Sequence, residues 1–149
     1  MHDYIGLKFA HIVIAIASLG GGAALAILIG FFAAHPVHGG YVLRTARKLA
    51  YLVVVPGYVL MLVTGMWMGH LANLLDARWT EAAMNLWGVG GLFIAFSLVV
   101  LHRQIRLFEA ESPDSPAFRR AANVGRLLRA GAGLVVLVII YFMVFKPGG

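Results

Sequence analysis

The sequence predicts an all-α membrane protein: a four-helix transmembrane bundle with both termini on the outer, periplasmic side. Three observations predict it. Four long apolar stretches run through the chain, at Ile5–Ala34, Leu49–Leu71, Ala82–Leu101 and Ala130–Phe145. Charge is scarce, with 61% apolar and only 12% charged residues, against about 25% charged in an ordinary soluble domain. Lys and Arg gather beside alternate ends of the apolar stretches, as topology requires. A helix needs roughly 20 apolar residues to cross the hydrocarbon core, where every backbone N–H and C=O must be paired within the element.

The first stretch contains Gly20-Gly21-Gly22-Ala23-Ala24, a small-residue run that permits close helix approach. Its N-terminus, Met-His-Asp-Tyr, lacks a basic region followed by a cleavage pattern, so the span is expected to be retained. Pro36, Gly39 and Gly40 end it. The second stretch holds Pro56, expected to kink the helix by freeing the carbonyl of Leu52, and a GxxxG at Gly65 and Gly69. Leu74–Thr80 reads as a tight outer turn, with Thr80 as candidate cap of the third helix. On that helix Glu81, Met84, Gly88, Gly91, Ala95 and His102 share a face expected to look inward. The connection Phe108–Asn123 carries Ser112-Pro113-Asp114-Ser115-Pro116, a turn-forming segment with a short interfacial helix expected after Pro116. The last stretch is short, but Arg126 and Arg129 at one end and Lys146 at the other can snorkel and lengthen it. Residues 1–149 therefore make one integral membrane domain.

Nine basic residues flank the first and third connections (Arg44, Arg47, Lys48, Arg103, Arg106, Arg119, Arg120, Arg126 and Arg129), against three on the other side (Lys8, Arg78 and Lys146). The positive-inside rule then puts those connections in the cytoplasm of a bacterium and the multi-pass chain in its inner membrane. The net charge of +6 follows from this placement, and no aromatic-studded basic face points to nucleic acid. The lipid bilayer is the expected partner, with a homo-oligomer as a further possibility.

The histidines carry the functional argument. His11 and His70 lie near the outer ends of adjacent antiparallel spans, while His35, His38 and His102 lie at the inner boundary and His2 at the terminus. Ionisable residues within spans are functional candidates, whereas those at helix ends are commonly solvated by headgroups. Neutral imidazole is a good axial ligand for b-type haem. Below His11, Ala15, Ser18 and Gly22 leave room for a porphyrin; near His70, Met66, Trp67 and Val63 offer apolar packing, with Met66 a conceivable ligand. The candidate site is thus His11, His70, Ser18, Gly22, Met66 and Trp67, with iron on His11 and His70 and a second site at His102. With no cysteine, thiolate sites are excluded, and there is no Walker loop or HExxH motif.

Leu7-Lys8-Phe9-Ala10-His11 leading into Gly20-Gly21-Gly22, then Thr64-Gly65-Met66-Trp67, His102-Arg103-Gln104-Ile105-Arg106 and Met143-Val144-Phe145-Lys146-Pro147, resemble a family of small four-helix bacterial membrane proteins known as domain of unknown function 2269. That resemblance covers nearly the whole chain and implies fold and topology. A more distant likeness, through the early histidine and Lys146-Pro147, is to HemJ-type protoporphyrinogen oxidases, which implies His11 as haem ligand. The chain departs from that group, having no arginine late in its first helix and no lysine within its third. Copper-resistance membrane proteins of the CopD type are similar in the early histidine and glycine-rich first helix. The leading expectation is a haem-binding membrane redox protein whose partner is a quinol, a porphyrin or another electron carrier. A non-enzymatic accessory or assembly subunit, and a small transporter or metal-handling protein, are the alternatives.

Overall fold

The computed structural model describes residues 2–146, with side chains from Tyr4 onward, so the His2 side chain and Pro147 lie outside the described residues. Four helices are long and apolar enough to cross a membrane: α1 (Tyr4–Phe32), α2 (Gly39–Leu71), α3 (Arg78–Ala110) and α4 (Pro116–Phe145). Among the described residues there is no strand.

α2 and α4 start well before the apolar stretches that announced them and α3 outruns its stretch at both ends, whereas α1 ends at Phe32, two residues short of the expected Ala34. Gly39–Leu49, with Arg44, Arg47 and Lys48, is helical and continuous with α2. It is amphipathic: Leu43 and Ala46 are buried while the charges face out. In the same way α3 runs on through Arg103 and Arg106 because Leu101, Gln104 and Ile105 pack inward. The short helix expected after Pro116 is the first part of α4. Ser115 caps it, its hydroxyl accepting from the Phe118 amide at 3.1 Å, and Pro116 occupies the first turn, where an N–H is dispensable. Thr80 does not cap α3; the N-cap is Ala77, and the Thr80 hydroxyl donates to the Leu74 carbonyl at 2.7 Å, closing the turn from within the helix.

The helices pair as two antiparallel hairpins, α1 with α2 and α3 with α4. Backbone approach between the hairpins is concentrated at one end, where Gly39–Leu49 meets α3 and the second half of α1 meets α4. The main buried cluster, including Leu25, Ile29, Leu43, Leu101, Ile105 and Phe118, lies at that end. Away from that cluster the hairpins meet again at Tyr58 of α2, whose ring stacks on Trp87 of α3.

Both helices of the first hairpin contain a π-helical turn, Ile16–Gly20 in α1 and Ala50–Val54 in α2, and the two turns face each other. Ser18, 1% exposed, donates to the Val54 carbonyl at 3.0 Å across this contact. The closest approach of the hairpin is at Gly57, where an added Cβ would stand 2.5 Å from the Ser18 Cβ. Pro56 follows the α2 π turn directly, and the widened turn is the form its missing N–H takes here.

The inward face of α3 differs from the expected one. Glu81, Met84, Gly88 and Ala95 are exposed, while Ala83, Gly90, Leu101, Gln104 and Ile105 are buried. The face is set by the double contact of α3 with α4 and with Gly39–Leu49 of α2 rather than by residue size, since both small (Ala83, Gly90) and large (Leu101, Ile105) residues are buried on it. Gly90 and Gly91 are still used: they leave room for the Tyr58 ring.

Candidate functional site

His11 sits against α2. Its Nδ1 is 2.6 Å from the Thr64 hydroxyl oxygen, and that hydroxyl donates to the Leu60 carbonyl at 2.7 Å. A hydroxyl has one proton, so with it committed to Leu60 the oxygen accepts from His11 Nδ1–H. In that arrangement the lone pair is left on Nε2. Gly65 makes room for the ring, since a Cβ there would stand 3.4 Å from His11 Cε1. The first glycine of the GxxxG therefore seats an imidazole; the second, Gly69, accommodates Leu75 of the turn that follows α2. Thr64 entered the sequence reading only within the motif Thr64-Gly65-Met66-Trp67 and not as a site residue, although its place beside Gly65 was the available signal.

His70 does not join His11. The register that pairs His11 with Thr64 places His70 six residues further along α2, about 9 Å toward its C-terminal end at 1.5 Å per residue. It is exposed, as are Met66 and Trp67 at 43% and 58%. Ser18 and Gly22 lie two to three turns deeper, Ser18 sealing the π contact and both residues lining a cavity. The six expected site residues thus fall in three places.

His35, His38 and His102 make local contacts. His35 Nδ1 accepts from the backbone amides of Val37 and His38, each at 3.2 Å, and its ring stacks on His38 at 4.8 Å. His102 Nδ1 lies 3.0 Å from the Leu98 carbonyl of its own helix, and its ring meets Tyr51 edge-on. No group of three His, Asp or Glu that could hold a metal ion exists among the described residues.

Between the hairpins, alongside the buried cluster and on to Tyr58, lies a cavity of about 610 Å³ to which all four helices contribute, within the ~300–1,000 Å³ typical of small-molecule sites. Its wall is almost wholly apolar: Gly22, Leu25 and Ile29 from α1, Ala46 and Ala50 from α2, Ile94 and Leu101 from α3, and Gly133 and Leu137 from α4. Leu134 and Leu137 line it yet are 63% and 64% exposed, so its mouth opens at the α4 edge toward the bilayer. Tyr58 forms one wall and is rigidly held, its ring stacked 3.7 Å from Trp87 and its hydroxyl donating to the Trp87 carbonyl. The polar side chains on the wall are Ser18, Tyr58, Ser97 and Arg129. Tyr58 and Ser97 were not marked in the sequence, and Arg129 was read only as an interfacial anchor.

A family model described as a predicted integral membrane protein (DUF2269) matches residues 5–147. The chain belongs to that family. No curated protein and no solved structure matches it.

Proposed function

We propose that this family member is a non-enzymatic membrane component that takes a lipid-like apolar molecule from the bilayer into the cavity between its hairpins. The observation that carries this reading is the cavity itself: about 610 Å³, apolar, and open past Leu134 and Leu137. Small residues on its wall support the reading, since Gly22, Ala26, Ala46 and Gly133 leave space that larger side chains would fill. Gly133→Leu tests it, because an added Cβ there meets nothing within 4 Å, so the variant fills the cavity without clashing at the backbone. Native mass spectrometry of protein released from membranes is expected to show a retained lipid-mass adduct on the wild type and not on a folded Gly133→Leu. Equal retention on both would overturn the reading.

His11 supports a second reading, a b-type haem redox protein. Thr64 holds the ring by Nδ1 and leaves Nε2 able to coordinate iron, the arrangement in which an outer partner orients a ligating histidine. When bound, the haem would supply one-electron chemistry toward a quinol or another carrier. The chain's own contribution is to fix the ring and its tautomer. His70 would need a different axial partner, since it lies further along α2 and is exposed. A Soret band in protein purified from haem-replete cells, lost in His11→Ala and kept in His102→Ala, is the expected result. Its absence from the wild type would remove this reading and leave the first intact.

A further inference from the structure

One end of the cavity is built for a negative charge. Arg129 lines it, and the guanidinium folds back over Gly125, where an added Cβ would stand 3.0 Å from Arg129 Nη1. The same point is 3.3 Å from Gln104 Oε1, so the missing side chain at Gly125 lets the cation approach an amide buried behind the cavity wall. Gln104 is 0% exposed, and neither its Oε1 nor its Nε2 has a hydrogen-bond partner within the protein. Ser97, on the cavity wall itself, has a buried hydroxyl that is likewise unpartnered. The large majority of buried polar side-chain atoms in native proteins are paired, so the Ser97 donor beside Arg129 needs an account.

No carboxylate answers Arg129. The ion pairs among the described residues are Arg44 with Glu109 and Arg119 with Asp114, and the nearest charge along its own helix is Arg126, of the same sign. A guanidinium at the edge of an apolar cavity is costly without an anion, and its fork of donors matches phosphate oxygens in particular. From this corner the cavity runs along α1 from Ile29 to Ser18, roughly 16 Å at the helical rise. That is a polar corner with an apolar tail channel, opening sideways into lipid.

We propose that the cavity binds an anionic phospholipid of the bilayer, one acyl chain lying between the hairpins toward Ser18 and Tyr58, and the phosphate at Arg129 with the Ser97 hydroxyl of the cavity wall as a further donor. This rests on the cavity reading above and adds to it the headgroup class and the direction in which the lipid enters.

Trp87 provides the readout, because its ring stacks on Tyr58 of the cavity wall. Trp67→Phe with Trp79→Phe leaves Trp87 as the single tryptophan, and a companion keeping only Trp67, which is 58% exposed, reports the surrounding lipid. Both are reconstituted in phosphatidylcholine vesicles with a minor fraction of either phosphatidylglycerol or phosphatidylcholine brominated near the chain end. The expected result is that brominated phosphatidylglycerol quenches Trp87 several-fold more than brominated phosphatidylcholine, with no such preference at Trp67. Arg129→Gln should abolish the preference and Arg129→Lys should retain part of it. Equal quenching of Trp87 by the two lipids in the wild-type cavity would overturn the headgroup assignment while leaving a cavity that takes any chain. Quenching of Trp87 no deeper than at a protein filled by Gly133→Leu would remove the cavity reading as well. A preference that survives in Arg129→Gln, or that unbrominated oleate reverses better than unbrominated phosphatidylglycerol, would also overturn the proposal.

Discussion

Gly57→Ala adds one methyl group at the tightest point of the first hairpin, and its consequence can be worked from distances. The new Cβ would stand 2.5 Å from Ser18 Cβ and 2.9 Å from Ser18 Oγ. Carbon atoms in contact prefer about 3.5–4.0 Å, so the helices must part by about 1 Å or the backbone must shift. Ser18 cannot swing aside, because it is buried and its hydroxyl is tied to the Val54 carbonyl. Inserting a methyl into a site that cannot yield costs about 1–3 kcal/mol, and here the displacement also stretches the one hydrogen bond linking the two π turns. The measurement is reversible unfolding in mixed micelles followed by helical circular dichroism. Gly20→Ala is the internal control, because nothing lies within 4 Å of the Cβ it would add; it should stay within about 0.5 kcal/mol of wild type. Ser18→Gly alone loses the interhelical hydrogen bond, worth about 0.6 kcal/mol on average in membranes. The double variant Ser18→Gly with Gly57→Ala exchanges knob and hole, and should be more stable than the sum of the single effects by most of the clash energy. Additive effects, or a Gly57→Ala protein as stable as wild type, would refute the close approach on which this reasoning stands.

Tyr58→Phe keeps the stack on Trp87 but loses the bond to its carbonyl, and should cost about 0.5–1.5 kcal/mol in the same unfolding assay. Phe118→Ala, at a residue only 1% exposed, should cost about 3–5 kcal/mol. A short insertion between Ser112 and Asp114, by contrast, should leave folded yield nearly unchanged in size-exclusion chromatography, since the Arg119–Asp114 pair beside it is exposed and worth little. Reporter fusions after Arg47 and at Pro113 should read cytoplasmic and those at Asp76 and Gly149 external, from the nine-to-three basic asymmetry; the opposite pattern would invert the topology.

The spans were legible because lipid leaves the backbone no alternative to helix, and hydropathy reports lipid directly. Helix length was less legible, because amphipathic extensions such as Gly39–Leu49 score as loop in any window average while burying Leu43 completely. Register was not legible at all. Which glycine of the first hairpin meets the opposing helix depends on the partner's side chains: Gly20 of α1 faces open space, whereas Gly57 of α2, which carries no motif, stands against Ser18. A small residue licenses approach, but only the opposing helix decides whether the licence is used.

The same limit governs the site. Depth in the membrane can be estimated by counting residues from a loop, and that count brought His11 and His70 to the outer side together. It could not resolve the six-residue offset that the Thr64 contact imposes, nor the helical rotation that leaves Met66 and Trp67 exposed. Chemistry-bearing residue types drew attention to histidine, while Arg129 and Gln104 fell beside charged boundaries where polar residues are inexpensive and so carry little information. What makes them informative is a tertiary fact. Gly125 removes the side chain that would have separated them, and Ser97 joins Arg129 on the wall of the cavity. Arg129 and Ser97, from two helices and each unremarkable by position, line a cavity where the protein supplies no anion. That convergence is a stronger pointer to a ligand than any single intramembrane histidine, because it has no cheaper structural explanation within the chain.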